Sequence, residues 1–287
     1  DPEHHRDLAC HMGQDQGLVA LNFAAETLWY RGYPDQALER VRHGLSLAQT
    51  LSHPFSLATA LGIVAFVHLF RREGHDAQAQ AEALLTLAHE HGFADWLGYG
   101  PSLQGWALVE RAARSGAREQ GEAGLGQLRE GLAAVLATGA ELWVPLFLGA
   151  LAQGYAQGGQ ATDGLRVVAE ALAMVEKTEE RWNEAELYRL KGELTLQQSR
   201  VQRLESSVTD PQPPISDPQV EAEECFHKAI EIARKQQAKS LELRATMSLA
   251  RLWQSQGKIA EAHRMLSEIY NWFTEGFDTK DLQEAKA

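Results

Sequence analysis

The residue types best suited to chemistry lie together in 181–198, "RWNEAELYRLKGELTLQQ", where Glu184, Glu186 and Glu193 stand close to Arg189 and Lys191. General acid–base catalysis by a pair of carboxyl groups needs environments that push their pKa values apart. On a helix, Glu184 and Glu186 project to different sides. Glu186, Arg189 and Glu193, at spacings of three and four, share one face. An arginine between two glutamates neutralises as much as it activates. The expectation is therefore an exposed charged strip, worth under about 1 kcal/mol per pair, with Trp182 on its edge one turn earlier.

The thiols and imidazoles are no more promising. His4, His5, Cys10 and His11 cluster near the start, but no three of them share a helical face, and zinc takes three or four protein ligands. His89 and His91 point about 200° apart on a helix. Cys225, beside Phe226 in "EAEECFHKAIEIA", reads as a small core or boundary side chain with no cation to activate it. The expectation is no catalytic residue, no metal and no cofactor.

Bulk properties narrow the partners. The chain has 287 residues, a formal net charge of −12 and 44% hydrophobic residues. So acidic a surface repels phosphate backbones and anionic membrane, which argues against nucleic acid and lipid as partners. Two cysteines suit a reducing, cytoplasmic compartment. "LGIVAFVHLF" (61–70) is too short to span a bilayer. The chain opens on Asp1, as a piece of a longer protein would.

The elements that would hold these residues are helices in a repeat. "GYPDQALERVRHGLSLA" (32–48), "GQATDGLRVVAEALAMV" (159–175) and "GKIAEAHRMLSEIY" (257–270) share a glycine followed five places later by a small residue. That residue recurs as Ala37, Ala77, Gly124, Gly164, Ala222 and Ala262, at intervals of 40, 47, 40, 58 and 40. A second small residue falls on the preceding helix as Ala25, Ala65, Gly105, Ala152, Gly192 and Ala250. Eight places after the first series come Leu45, Leu85, Leu132, Leu172, Ile230 and Tyr270. Two antiparallel helices approach closely only where side chains are small, and pairs that cannot bury their faces alone must stack. The pattern predicts an all-α, right-handed superhelical solenoid of about six helical hairpins with a period of 40. The longer intervals are expected to be insertions near 112–118 and 199–218, the latter proline-rich and read as a surface loop. Residues 1–13 would be the remnant of an upstream repeat helix, 14–278 the repeat domain, and 279–287 the start of a capping helix.

This unit, with glycine, alanine five later and an aromatic four before the glycine in some copies (Tyr155, Trp253), resembles the tetratricopeptide repeat. A narrower resemblance rests on "LWYRGYPDQAL" (28–38), "ATGAELWVP" (137–145), "ERWNEAELYRLKGEL" (180–194) and "RKQQAKSLELRATMSLARLWQSQGK" (234–258). These are similar to the C-terminal region of large bacterial signalling ATPases that often carry an N-terminal class III adenylate or guanylate cyclase domain. The resemblance implies that the ATPase and cyclase domains lie outside this chain, which contains no G-x-x-x-x-G-K-[ST] loop.

In such repeats the first helix of each pair lines a concave groove. Counted from its small residue, groove positions include Asn22, Glu26 and Trp29, then Phe66, Trp106 and Gln153, then Glu186, Arg189 and Glu193, and finally Arg244 and Arg251. The groove would be aromatic at its N-terminal end and charged at its C-terminal end, and Trp and Arg are the types most enriched at binding hot spots. The plainer alternative is that Trp29, Phe66 and Trp106 pack against neighbouring repeats. The expected function is a non-catalytic module binding a protein or peptide in the groove and contacting other domains of its parent chain. Self-assembly into homo-oligomers and small-ligand or peptide reception are the rival readings.

Overall fold

The structure, a computed structural model, describes residues 15–206 and 217–287. Among these it places thirteen helices and no strand. Six hairpins follow one another: α1 (Gln16–Tyr30) with α2 (Pro34–Leu51), α3 (Pro54–Phe70) with α4 (Gly74–His91), α5 (Ala94–Ser115) with α6 (Arg118–Ala137), α7 (Val144–Gln157) with α8 (Ala161–Thr178), α9 (Glu184–Ser206) with α10 (Pro218–Gln236), and α11 (Lys239–Ser255) with α12 (Ile259–Tyr270). A short helix, α13, spans Lys280–Lys286. The fold is an all-α helical solenoid, as the repeat pattern predicts.

Local chemistry starts and stops these helices. Asp15 caps α1, its carboxylate accepting the Leu18 N–H at 2.6 Å, and Asp217 caps α10 through Gln219 N–H at 2.9 Å. Proline opens α2, α3 and α10, where its missing N–H costs nothing. The turns inside hairpins need a left-handed residue. Glycine supplies it at Gly32 (φ 89°), Gly159 (φ 75°) and Gly257 (φ 81°). The second hairpin uses Arg72 at φ 63° instead.

Small residues sit where the helices of a pair cross. Ala25, Ala37, Ala65, Ala77, Ala152, Ala222 and Ala262 are each fully buried. In the third hairpin Gly105 faces Gly124. A Cβ on Gly105 would lie 2.6 Å from the Gly124 carbonyl oxygen and from the Leu128 nitrogen. A Cβ on Gly192 would lie 2.6 Å from the Phe226 ring, whereas one on Gly164 would lie 2.5 Å from Leu194 of the next hairpin. Large residues fill the space between pairs: Leu132 and Ile230 are buried, and Leu85 occupies the space where a Gly100 side chain would stand, 2.5 Å from its Cβ position.

The stretches expected to hold the insertions fall at helix ends inside the third and fifth hairpins. Around 112–118 the extra residues lengthen the helices, so that α5 has 22 residues and α6 has 20, joined by a short turn at Gly116. The stretch begins "AARS", which carries good helix formers. In 199–218, residues 199–206 continue α9, with Ser199 buried, and Pro218 opens α10. Residues 207–216 lie outside the described residues, as does the expected remnant at 1–13 with Cys10 and its histidines.

The chain divides into two compact units. The first is Asp1–Glu141 with Glu275–Lys280, and the second is Leu142–Thr274 with Asp281–Ala287. Each therefore holds three hairpins. The first is built on alanine, leucine and rings, with Leu18, Ala48 and Ala60 in one core cluster. In the second, Phe226, Ala229, Leu249 and Leu252 form the core between the fifth and sixth hairpins. No described helix is long and apolar enough to cross a membrane.

Candidate functional site

In the first unit the aromatic positions are buried. Trp29, Phe66 and Trp106 are 3%, 1% and 6% exposed. Trp29 stacks on Phe70 with ring centroids 4.7 Å apart, and Phe70 lies 6.1 Å from both Phe66 and Trp106. Rings from three successive first helices thus pack on one another, and the expectation that they line an open groove is corrected for these three. The reason is energetic: a Trp or Phe gains more from full burial against other rings than from waiting in solvent for a partner.

Two polar groups share that region with the rings. Asn22 is buried and its Nδ2 has no hydrogen-bond partner; the Trp106 Nε1 is in the same state. Glu26, one turn on from Asn22, is half-buried, and burial alone pushes its carboxyl up to about 7.

A second cluster of the first unit was not anticipated. Arg71 is 3% exposed and bonds Asp35 at 2.9 Å and Glu73 at 2.8 Å. Asp278 stands 3.4 Å from the same guanidinium. Glu275 accepts the Asp35 and Gln36 backbone N–H groups at 2.9 and 3.0 Å, so it neutralises the N-terminal end of α2. Part of this cluster pairs residues 207 and 240 positions apart, which no local pattern announces. Alongside, His68, Glu73 and Asp76 each offer a metal-ligand atom within 4.8 Å of one another. Glu73 already uses one oxygen on His68 at 2.7 Å and the other on Arg71. Three donors beside a guanidinium fall short of a closed zinc site.

In the second unit the charged positions do come together. Arg189 grips Glu186 through two bonds, of 2.9 and 2.7 Å, and reaches Glu193 at 2.7 Å. Ser248 on α11 donates to Glu193 at 2.7 Å. Arg244 lies 3.8 Å from Glu186 and 2.6 Å from Asp281, and Arg251 lies 3.0 Å from Glu284. The shared face of Glu186, Arg189 and Glu193 is as the spacing requires, but its expected exposure is not. Glu186 and Arg189 are 7% and 9% exposed, because α11 packs across them. Glu193, Arg244 and Gln153 are half-buried, and Arg251 is exposed. Trp182 precedes α9 rather than riding on it. Its side chain donates to Glu180, which also accepts the Trp143 N–H at 3.2 Å.

Electrostatics decide what this face can do. Burial would raise the Glu186 carboxyl, but the Arg189 guanidinium, with Arg244 beyond it, outweighs burial and holds the carboxyl below the ordinary value of 4.5. A carboxylate gripped by an arginine keeps its charge at neutral pH and has no proton to donate. Cys225 is buried, and burial pushes its thiol up, which weakens it as a nucleophile. The arrangement can bind charge and hold a helix.

No family model matches the chain, and no curated protein matches it. Two similar solved structures are crystal structures of Podosopora anserina kinesin light chain repeats, described as nearly identical TPR-like repeats. Each is 14% identical, with a TM-score of 0.40, over 88% of this chain and 92% of that one.

Proposed function

We propose that this chain is a non-catalytic protein- or peptide-interaction and sensing module, a tetratricopeptide-like repeat region of a larger bacterial signalling ATPase that carries a cyclase domain in some parents. It works in the cytoplasm and contacts other domains of its parent. The observation that carries the interaction reading is the charged face of the second unit. There Glu193 and Arg251 remain accessible beside Glu186 and Arg189, on first helices held in register by Gly192 and Ala250. Fixed charges on rigid helices give a partner specificity and orientation, and the same fixed pairing removes the mobile proton that catalysis needs.

The test is quantitative capture from lysate on the full chain, comparing wild type with a Glu193→Gln, Arg251→Gln variant and with a control altered on an exposed second helix, Glu170→Gln. One protein lost by the first variant and kept by the control supports the module. Identical capture by all three sinks it.

A further inference from the structure

One carboxyl of the first unit stands without a counter-charge. Glu26, on α1, is half-buried, and among the described residues no hydrogen bond or ion pair reaches it. The glutamates buried elsewhere in the described chain each hold a cation. Glu110 lies 3.6 Å from Arg72, Glu184 lies 3.3 Å from Arg181, Glu186 lies 2.7 Å from Arg189, and Glu242 lies 2.6 Å from Lys239. Helical spacing would let the Asn22 amide, one turn earlier on the same face, serve Glu26. It does not: Asn22 is 5% exposed and its Nδ2 has no partner, while its Oδ1 is turned to α2, 3.5 Å from where a Gly44 Cβ would stand. Two polar groups on successive turns are thus left unmatched, a state that native structures rarely keep without something to bind.

The surroundings suit a cation. Tyr30, one turn after Glu26, is half-buried. It meets Trp29 edge-on at 4.9 Å and lies 5.6 Å from Phe70. A carboxyl beside aromatic rings offers an ammonium or guanidinium group both an ion pair and the attraction of a ring, and the stem of a Lys or Arg side chain covers apolar surface on the way in. Burial alone pushes the Glu26 carboxyl up to about 7, so an arriving cation would also complete its ionisation at neutral pH. Leaving the group unpaired costs the free chain stability, as groups kept for binding do. One half-buried pair does not repay the freedom that a small amine loses on binding. The cation therefore belongs to a larger partner that adds contacts of its own.

We propose that Glu26 is the docking point for a Lys or Arg side chain of a partner peptide, with Tyr30 flanking the cation. This deepens the interaction-module reading and rests on it.

The test measures retention of the labelled full chain on immobilised peptide pools. Each pool holds acetylated pentapeptides, mixed among uncharged residues except at the centre, which is Lys, Arg, norleucine or Glu. The chain is acidic overall, so Glu39→Gln, altered at an exposed position of α2, controls for the loss of one charge. Glu26→Gln removes an unpaired carboxyl and leaves the fold intact, which melting verifies. The Lys or Arg pool should retain wild type and Glu39→Gln about tenfold better than the norleucine pool, as a desolvated charge pair does. Glu26→Gln should be retained alike by the Lys, Arg and norleucine pools. A wild-type preference kept by Glu26→Gln overturns the proposal, and so does equal retention of wild type on the Lys, Arg and norleucine pools. Release of wild type by n-butylamine as readily as by free Lys-pool peptide overturns it too, since the site would then take a free amine. Failure at Glu26 leaves the capture result at Glu193 and Arg251 standing, so the two readings fail separately.

Discussion

The first and second units use equivalent positions of the same repeat for opposite purposes. One place after the small residue, the first unit has Glu26, Phe66 and Trp106, whereas the second has Gln153, Glu193 and Arg251. In the first, rings from α1, α3 and α5 close the space between first helices. In the second, an arginine held by two glutamates does so. The same small residues sit at the crossing within each pair in both units, so the repeat accommodates either filling. The consequences differ. Ring packing is insensitive to pH and salt, whereas a buried charge network holds only while every partner keeps its charge.

The most damaging change should fall on the crossing residues that both units share. Gly105→Leu drives a side chain into the backbone of α6 and should cost about 4 kcal/mol or more, or prevent folding. Gly192→Leu meets a phenylalanine ring that can shift, and should cost less. Chemical denaturation ranks them, and the reverse order would refute the crossing geometry.

Next come the two ways of filling the space. Trp106→Ala should cost about 3–5 kcal/mol at any pH. Arg189→Met should cost a similar amount, about 3–5 kcal/mol, at pH 7, because it leaves Glu186 charged and buried. Its cost should shrink toward pH 4 as Glu186 takes up a proton. In wild type the sign is fixed by the depressed Glu186 pKa: its stabilisation is complete above about pH 5 and is lost as pH falls through the folded value, below 4.5. Melting curves at pH 4, 5.5 and 7 separate the flat profile from the sloped one. The burial of Arg189 also reverses an expectation drawn from its spacing alone. Arg189→Glu should damage the fold, since it gathers three carboxylates around Ser248.

Glu26 gives a smaller and opposite effect. Its folded pKa of about 7 is raised, so its contribution is favourable below about pH 4.5 and declines as pH rises through 7. Glu26→Gln should stabilise the chain by about 1–3 kcal/mol at pH 8 and change little at pH 5. Stabilisation of equal size at both pH values would contradict the burial of that carboxyl. The smallest effect on stability is expected at Arg251→Gln, under about 1 kcal/mol by thermal melting, since its pair with Glu284 is exposed.

Much of the fold is legible in the sequence because a helix crossing leaves a local and periodic trace. Ala25 and Ala37, or Gly105 and Gly124, are small for a steric reason that recurs in every hairpin, so the register and the six pairs follow from residue types alone. The grouping of Glu186, Arg189 and Glu193 follows from helical spacing in the same way. Burial is a different matter. Whether Trp29 faces a partner or Phe70, and whether Arg189 is a surface strip or a buried clasp, depends on side chains from the next hairpin. Arg71 finds Asp278 across 207 positions, and Arg244 finds Asp281 only because α13 folds back onto α11. Sequence by itself determined where helices cross, since that is set by the volume at one position on each. The tertiary structure decided which faces meet water, since that is set by what distant parts of the chain bring to cover them.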